Sequence, residues 1–334
     1  MSHPLTILLV GAGKFGRHYA RILSLMGTPP TLAPVAVHRL VLTCTSRSKA
    51  TEIAQNLAES PTCQAEMIGE QVDSAAALAA VLERHRPDVT CIAAKDPSLG
   101  NRIHAEYTLQ ALTAGSRVLC EKPFSEATGN GDSLSEADQL TPYAASGAFG
   151  LELPFAAVRK NMQETLQWET LFREFERIQF FWGTQTEIQT DLFNELAPHP
   201  WSLIPDRWET EQLRTEQTET TAVAAGILRH AALSRTIEFR ITLSKQNRFR
   251  GFRADGRCFG FRPAGTTVQL VELVGSIEAA TSMDPQRWPG NVLLEVDNPL
   301  RRNIEASILG KPITGVHRTA QSQLFLEMLQ GYRP

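Results

Sequence analysis

The chain has 334 residues, room for about two domains at ~150 residues each. Lysine and arginine number 33 against 36 aspartates and glutamates, a formal charge of −3. That balance excludes a strongly basic body built to coat nucleic acid, and equally a highly charged disordered chain. The five cysteines are odd in number and never spaced as CxxC, against a disulfide scaffold or a zinc cage. Cys44, Cys91 and Cys120 sit in apolar runs and read as small buried hydrophobes, so a reducing, cytoplasmic setting is expected. Met1 to Pro4 carries no basic stretch leading into an apolar one, so no signal peptide is expected. No stretch approaches the ~20 apolar residues that span a bilayer.

The first third alternates two periodicities. Thr6 to Val10 is a short apolar strand, and Lys14 to Met26 has helical spacing, stopped by Gly27-Thr28-Pro29-Pro30. His38 to Thr45 reads as a strand and Ser48 to Leu57 as a helix. A helix follows over Ala75 to His85, a buried strand over Asp88 to Ala94, a helix over Arg102 to Thr113 and a strand over Arg117 to Cys120. This βαβα rhythm predicts a parallel sheet with helices on both faces.

The pattern changes after Pro123. Ser125 to Ser133 is polar and reads as a linker, which places a first domain over 1–124 and a second over 125–334. In the second, Ala148 to Leu153 and Arg177 to Trp182 read as strands, with a helix between them from Phe155 to Trp168. Thr236 to Thr242, Arg248 to Arg253 and Val268 to Val274 alternate apolar with polar residues, and Gly251, Gly256, Gly260 and Gly265 punctuate the stretch as hairpin turns would. A mostly antiparallel sheet is expected, one face on helices and the other available to a partner. Leu294 to Leu309 and Thr319 to Leu329 read as closing helices, the last able to pack back on the first domain.

Gly11-Ala12-Gly13-Lys14-Phe15-Gly16 places three glycines at GxGxxG spacing between a predicted strand and a predicted helix. Gly11 permits a tight turn, Gly13 lets backbone approach a pyrophosphate, and Gly16 lets the helix pack on the strand, whose N–H groups then face phosphate oxygens. The end of the second strand reads Thr45-Ser46-Arg47-Ser48, with no acid between Val41 and Thr51. An acid there would take the ribose hydroxyls of NAD. Hydroxyls and a guanidinium suit the 2′-phosphate of NADP, so NADP is favoured over NAD. Cys120-Glu121-Lys122-Pro123 puts a lysine at the carboxyl end of a predicted parallel strand, where open α/β sheets bind ligands.

With these motifs in place the chain resembles the Gfo/Idh/MocA oxidoreductases, the family of glucose–fructose oxidoreductase and inositol dehydrogenase. The resemblance rests on Gly11 to His18, Ala105 to Ala111 with Gly115, Val118 to Pro123 and Glu195-Leu196-Ala197-Pro198-His199. It implies an α/β protein: an N-terminal Rossmann domain with a doubly wound parallel sheet, then a C-terminal α+β domain whose mostly antiparallel sheet often forms a dimer or tetramer interface. It also implies hydride transfer between a nicotinamide and a carbinol or carbonyl carbon of a polar small molecule, such as a sugar or cyclitol. Lys122 would polarise the oxygen, His199 would be the acid/base and Glu195 its orienting partner. Gly11, Gly13, Lys14, Phe15, Gly16, Ser46, Arg47 and Glu121 would hold the cofactor. The histidines form no metal-ligand spacing, so no metal is expected, nor are nucleic-acid or membrane partners.

The chain departs from the family in four places. Glu195 replaces the usual aspartate, with Asp191 a competing carboxylate. Gln185 to Asn194 stands where a glycine run is common. Lys95-Asp96-Pro97 replaces Thr/Asn-Pro, and Gly27 to Pro34 looks inserted. A dinucleotide-sensing regulator on the same fold is the alternative reading. Arg159-Lys160, Trp182, Trp201 and Trp208 lie near the expected substrate region, and the arginines from Arg248 to Arg262 read as a solvated sheet face.

Overall fold

The computed structural model describes residues 5–26, 37–95, 100–185 and 191–334. The expected stop at Gly27 to Pro30, the insertion at Gly27 to Pro34, Asp96-Pro97 and most of Gln185 to Asp191 lie outside these residues. The chain forms two compact units. The first comprises residues 1–126, 133–152 and 303–320, and the second residues 127–132, 153–302 and 321–334.

The first unit is built in chain order from β1 (Leu5–Val10), α1 (Gly16–Ser24), β2 (Val37–Cys44), α2 (Arg47–Ala58), β3 (Glu66–Gln71), α3 (Ala75–His85), β4 (Val89–Ile92), α4 (Ile103–Thr113), β5 (Arg117–Glu121), α5 (Asp132–Asp138) and β6 (Phe149–Glu152). The strands form one sheet in the order β3-β2-β1-β4-β5-β6, and every pairing is parallel. Strands buried on both faces lose alternation: all four residues of β4 are buried, as are Ile7 to Val10 of β1. The helices bury one stripe each, as α1 does with Tyr19, Ala20 and Leu23. Ser74 caps α3 by accepting from Ala77 N at 3.2 Å.

The expected cut at 124/125 differs from this division. The strand expected over Ala148 to Leu153 is β6, and it extends the parallel sheet beside β5 rather than joining the later strands. Residues returning late in the chain lie against it: Thr314 O accepts from Leu151 N at 2.9 Å, and a Cβ on Gly150 would meet Ser307 Oγ at 2.9 Å. A single cut cannot express a chain that completes its first unit with segments taken from two later places. Strand pattern names an element but not its neighbour.

The second unit contains α6 (Pro154–Leu166), α7 (Trp168–Glu174), β7 (Arg177–Gly183), α8 (Leu192–Leu196), α9 (Pro198–Trp201), β8 (Trp208–Gln217), β9 (Thr221–His230), β10 (Thr236–Ser244), β11 (Arg250–Ala254), β12 (Arg257–Ala264), β13 (Thr267–Leu273), α10 (Ile277–Thr281) and β14 (Gly290–Asp297). Two closing helices follow, α11 (Pro299–Ile308) and α12 (Val316–Leu329). Its eight strands run β14-β13-β12-β11-β7-β10-β9-β8. Among the described residues only β7 with β10 pairs in parallel.

One sheet face carries Ile178, Phe180, Trp182, Ile237, Phe239, Ile241, Phe252 and Phe261 into the main core, with Phe172 and Phe325 from the helices. The other face is mixed. Arg177 pairs with Glu238 and Arg229 with Glu211, whereas Phe249, Val271, Ile277 and Trp288 form a second apolar cluster at the β11–β14 end.

Three expectations are corrected here. Leu294 to Leu309 is not one helix: residues 290–297 are β14, and α11 begins at Pro299, whose fixed φ suits a first helical turn. The helix expected over Phe155 to Trp168 ends at Leu166, because Gln167 takes a left-handed conformation (φ +51°) before α7 begins. Gly256 and Gly265 do sit in turns with positive φ. Gly251 and Gly260, by contrast, face each other across β11 and β12. A Cβ at Gly260 would lie 2.4 Å from the Trp288 ring, so this glycine makes room for an indole rather than a turn.

Candidate active site

Strand order reverses between β1 and β4, and the glycine loop leaves β1 at that switch point. Gly11 has φ +90°, and a Cβ on it would lie 2.5 Å from Ala94 Cα at the exit of β4. A Cβ on Gly16 would lie 2.0 Å from Gly11 O, while one on Gly13 would meet nothing within 4 Å among the described residues. Two of the three glycines are therefore required by the protein's own packing. Among the described residues the third opens onto space that a ligand can approach, and no side chain caps the start of α1. This arrangement fits a pyrophosphate. Thr43 secures the turn: its Oγ1 accepts from Gly11 N at 3.2 Å and its carbonyl from Ala12 N at 2.7 Å. Lys14 and Phe15 are exposed on the loop, and the Phe15 ring meets His18 and Tyr19 edge-on at 5.9 Å.

Beyond β2, Ser46 is the N-cap residue of α2, yet its hydroxyl lies 2.8 Å from Ser48 Oγ instead of on a helix N–H. The Arg47 side chain is 68% exposed, with Nη2 3.9 Å from Glu70 Oε2. Glu70 reaches this region from β3, opposite Thr43. Its carboxylate receives Arg84 Nη1 at 2.7 Å and His85 Nε2 at 3.0 Å. Burial alone would raise its pKa, but His85 and Arg84 together hold it below the usual carboxylate value. Burial raises the Cys44 thiol at the end of β2, against the opposing charges of Lys49 and Arg17. Those two cations also line a groove with Arg21 and Ser48. The sequence reading had singled out neither.

At the exit of β5, Lys122 is buried and the Lys122–Pro123 peptide is cis. His104 of α4 joins two strand exits, its Nδ1 2.8 Å from Pro123 O and its Nε2 2.6 Å from Ala94 O. Glu121 is the last rung of β5, and opposite it on β6 stands Glu152. Glu152 is fully buried. Burial, reinforced by the charge of Glu121, pushes its pKa to about 8, against the lowering effects of Asn303 and Lys122. The sequence reading passed over Glu152, although an acid between Leu151 and Leu153 in an apolar strand is a usable signal.

The second unit holds the other expected side chains. His199 lies in α9, behind Pro198 at the first helical position. Its ring stacks on Trp182 at 5.7 Å and 10°, with Phe155 edge-on at 6.2 Å. Glu195 lies in α8 and is half-buried. Asp191, the competing carboxylate, is the N-cap of α8: its Oδ2 accepts from Asn194 N at 3.0 Å and from Gln330 Nε2 at 2.5 Å. Those bonds give it a structural task. Arg159 pairs with Asp206 at 2.7 Å while Lys160 is exposed. Trp182, Trp201 and Trp208 are all buried, so all three are core, and Trp182 stacks on His199. Arg253 pairs with Glu278 and Arg257 with Glu272 on the sheet surface. Among the described residues, no group of three or more histidine, cysteine or acidic side chains could hold a metal, and no helix is long and apolar enough to cross a membrane.

Residues 5–146 match the Gfo/Idh/MocA family model, described as an oxidoreductase family with an NAD-binding Rossmann fold. No curated protein matches the chain. Among solved structures, UDP-N-acetylglucosamine 3-dehydrogenase GnnA from Acidithiobacillus ferrooxidans is similar with a TM-score of 0.65 and 16% identity, over 98% of this chain and 97% of that one. Levoglucosan dehydrogenase in complex with NADH and L-sorbose gives 0.67 and 13%, over 98% and 96%. Biliverdin reductase from Synechocystis sp. PCC 6803, in complex with biliverdin and NADP+, gives 0.57 and 14%, over 98% of each chain. At these identities the likeness speaks for the fold.

Proposed function

We propose that this chain, which belongs through residues 5–146 to the Gfo/Idh/MocA oxidoreductases, is an NAD(P)-dependent dehydrogenase or reductase acting at a carbinol or carbonyl carbon. The observation that carries the reading is the glycine loop at the strand-order reversal, where a Cβ on Gly13 would meet nothing within 4 Å among the described residues. The buried Lys122 leaves β5 on the same sheet. NADP is the favoured cofactor: Ser46 and Arg47, with Lys49 and Arg17 near the end of β2, offer hydroxyls and positive charge for a 2′-phosphate. A sugar or cyclitol is the favoured substrate class. Two of the similar structures act, by name, on UDP-N-acetylglucosamine and levoglucosan.

When bound, the dinucleotide supplies the hydride donor or acceptor. Gly11, Gly13, Lys14, Phe15 and Gly16 would hold its pyrophosphate, and Glu121 would be a further cofactor contact. The Lys122 ammonium donates a hydrogen bond to the substrate oxygen and stabilises the negative charge that gathers there, an effect worth about 10²–10³ in rate for one well-placed donor. His199 takes the hydroxyl proton during oxidation and returns it during reduction, its ring oriented by Glu195 and by the Trp182 stack. Per turnover the substrate gives up one hydride and one proton, the proton to His199.

Fluorescence titration of the protein with NADPH and NADH, beside Arg47→Ala, tests the reading. NADPH is expected to bind more tightly, and the variant to lose about tenfold for NADPH alone. A screen of sugars and cyclitols with NADP follows, with Lys122→Ala as control. A folded sample that binds neither nucleotide overturns the dehydrogenase reading. Tight binding without turnover on any of the panel favours a dinucleotide-sensing regulator.

A further inference from the structure

The last rungs of β5 and β6 set two acids side by side. Glu121 and Glu152 are register partners in parallel strands, so their side chains leave the same sheet face with Cα atoms about 4.8 Å apart. Lys122 follows Glu121 directly and is buried. The Glu152 carboxyl has no exposure at all. Its Oε1 accepts from Asn303 Nδ2 at 3.0 Å, while its Oε2 is buried and meets no hydrogen-bond donor among the described residues. The phenol of Tyr19 is also buried, its oxygen likewise unmatched among those residues. Burial raises the Tyr19 pKa well above its usual value, and the charges of Glu152 and Glu121 raise it further.

Two adjacent carboxylates cannot both ionise cheaply in such a place, and a fully buried one without a matched ion pair keeps its proton. The charged and titratable groups acting on Glu152 are Glu121 from β5, Lys122 from the β5 exit and Tyr19 from α1, with Asn303 from α11 as the polar contact. Glu121 disfavours its ionisation and Lys122 favours it; burial decides the contest in favour of the acid form, which persists to about pH 8.

We propose that Glu152 is the positioning residue for Lys122, a carboxylic acid that keeps its own proton so that the lysine charge is directed to the reacting oxygen. Ionised, with its proton released to solvent, it becomes a second carboxylate that draws the ammonium toward β6. The proposal rests on the reading of Lys122 given above, and its test separates the two.

Carboxyl titration of the full chain labelled with ¹³C at the glutamate side chains is the first measurement. One carboxyl is expected to titrate near pH 8 and to be absent from Glu152→Gln, which retains an acceptor for Asn303. Its midpoint should move up in Lys122→Met, which removes the charge favouring ionisation, and down in Glu121→Gln. A Glu152 carboxyl that titrates in the ordinary carboxylate range, or that neither variant moves, overturns the proposal. The second measurement is the pH profile of carbinol oxidation by NADP with a substrate from the panel, the direction in which His199 accepts the proton rather than supplies it. The wild type should lose activity above about pH 8, and Glu152→Gln should stay level through the same range. An unchanged alkaline fall in Glu152→Gln overturns the proposal, as does a uniform loss at every pH, which marks a merely structural part. If Lys122→Met turns over normally while still shifting Glu152, the reading of Lys122 fails and the proton coupling stands.

Discussion

The two units place their candidate side chains by different means. In the first, backbone does most of the work. The turn at Gly11, the approach at Gly13, the helix contact at Gly16 and the strand exit at Lys122 follow from short segments of sequence and one sheet topology. In the second, His199 sits in a four-residue helix and owes its orientation to a tryptophan from β7 and a phenylalanine from α6. A backbone site tolerates changes that leave conformation alone, and a packed site tolerates changes that leave volume alone. The two should therefore fail differently when mutated.

The largest effects are expected on turnover. His199→Ala should lower kcat by about 10²–10⁴, the range for loss of a general acid/base. Lys122→Ala should cost about 10²–10³. Both should leave NADPH affinity within a few-fold of wild type, as single-turnover rates and equilibrium titrations can show. Loss of nucleotide binding in His199→Ala would contradict the division of labour.

Next come the glycines, which separate packing from ligand approach within one loop. Gly16→Ala puts a methyl 2.0 Å from Gly11 O and should destabilise the fold by about 1–3 kcal/mol, the usual cost of overpacking. Gly13→Ala meets nothing within 4 Å among the described residues. Its melting temperature should match wild type while NADPH affinity falls tenfold or more. Unchanged affinity in Gly13→Ala would remove the pyrophosphate from this loop.

Glu152 supplies a pH dependence of stability. Its carboxyl is raised to about 8 in the folded chain, above the ~4.3 of an unfolded glutamate. Between those values the unfolded state binds fewer protons, so this group lowers stability progressively as pH rises toward 8. Chemical denaturation at pH 5 and pH 8 should show a smaller decline for Glu152→Gln than for the wild type. An equal decline would assign the effect to other groups.

Much of the first unit was readable because its signals are local. The boundaries of α3 coincide with expectation, Ala75 to His85, since Ser74 and a helix-favouring run are contiguous in sequence. Elements defined by distant partners were harder. Strand β3 reads EMIGEQ, too polar at its ends to look like a strand until it pairs with β2. Strand β9 is largely alanine and small residues, which gain strand character only between two neighbours. Leu293, Leu294 and Val296 of β14 run straight into α11, and nothing before Pro299 marks the change of period. In the candidate site, the glycines and Lys122 were readable from spacing. Thr43, His104 and Glu152 were not, because each acts through a partner 19 or more residues away in the chain.

The smallest effect decides which acid serves His199. Asp191 and Glu195 lie four residues apart, and sequence alone left either as the working carboxylate. Asp191 Oδ2 is committed to Asn194 N and Gln330 Nε2, so Asp191→Ala should cost about 1 kcal/mol of stability, as loss of an N-cap does. That corresponds to a melting temperature lower by about 2–4 °C for a unit of this size. Turnover at saturating substrate should stay within a few-fold of wild type. Glu195→Gln should reverse the pattern, with little change in melting temperature and a clear fall in kcat. If Asp191→Ala loses turnover while Glu195→Gln keeps it, the roles exchange, and the capping bonds of Asp191 would then serve to hold a reacting group in place.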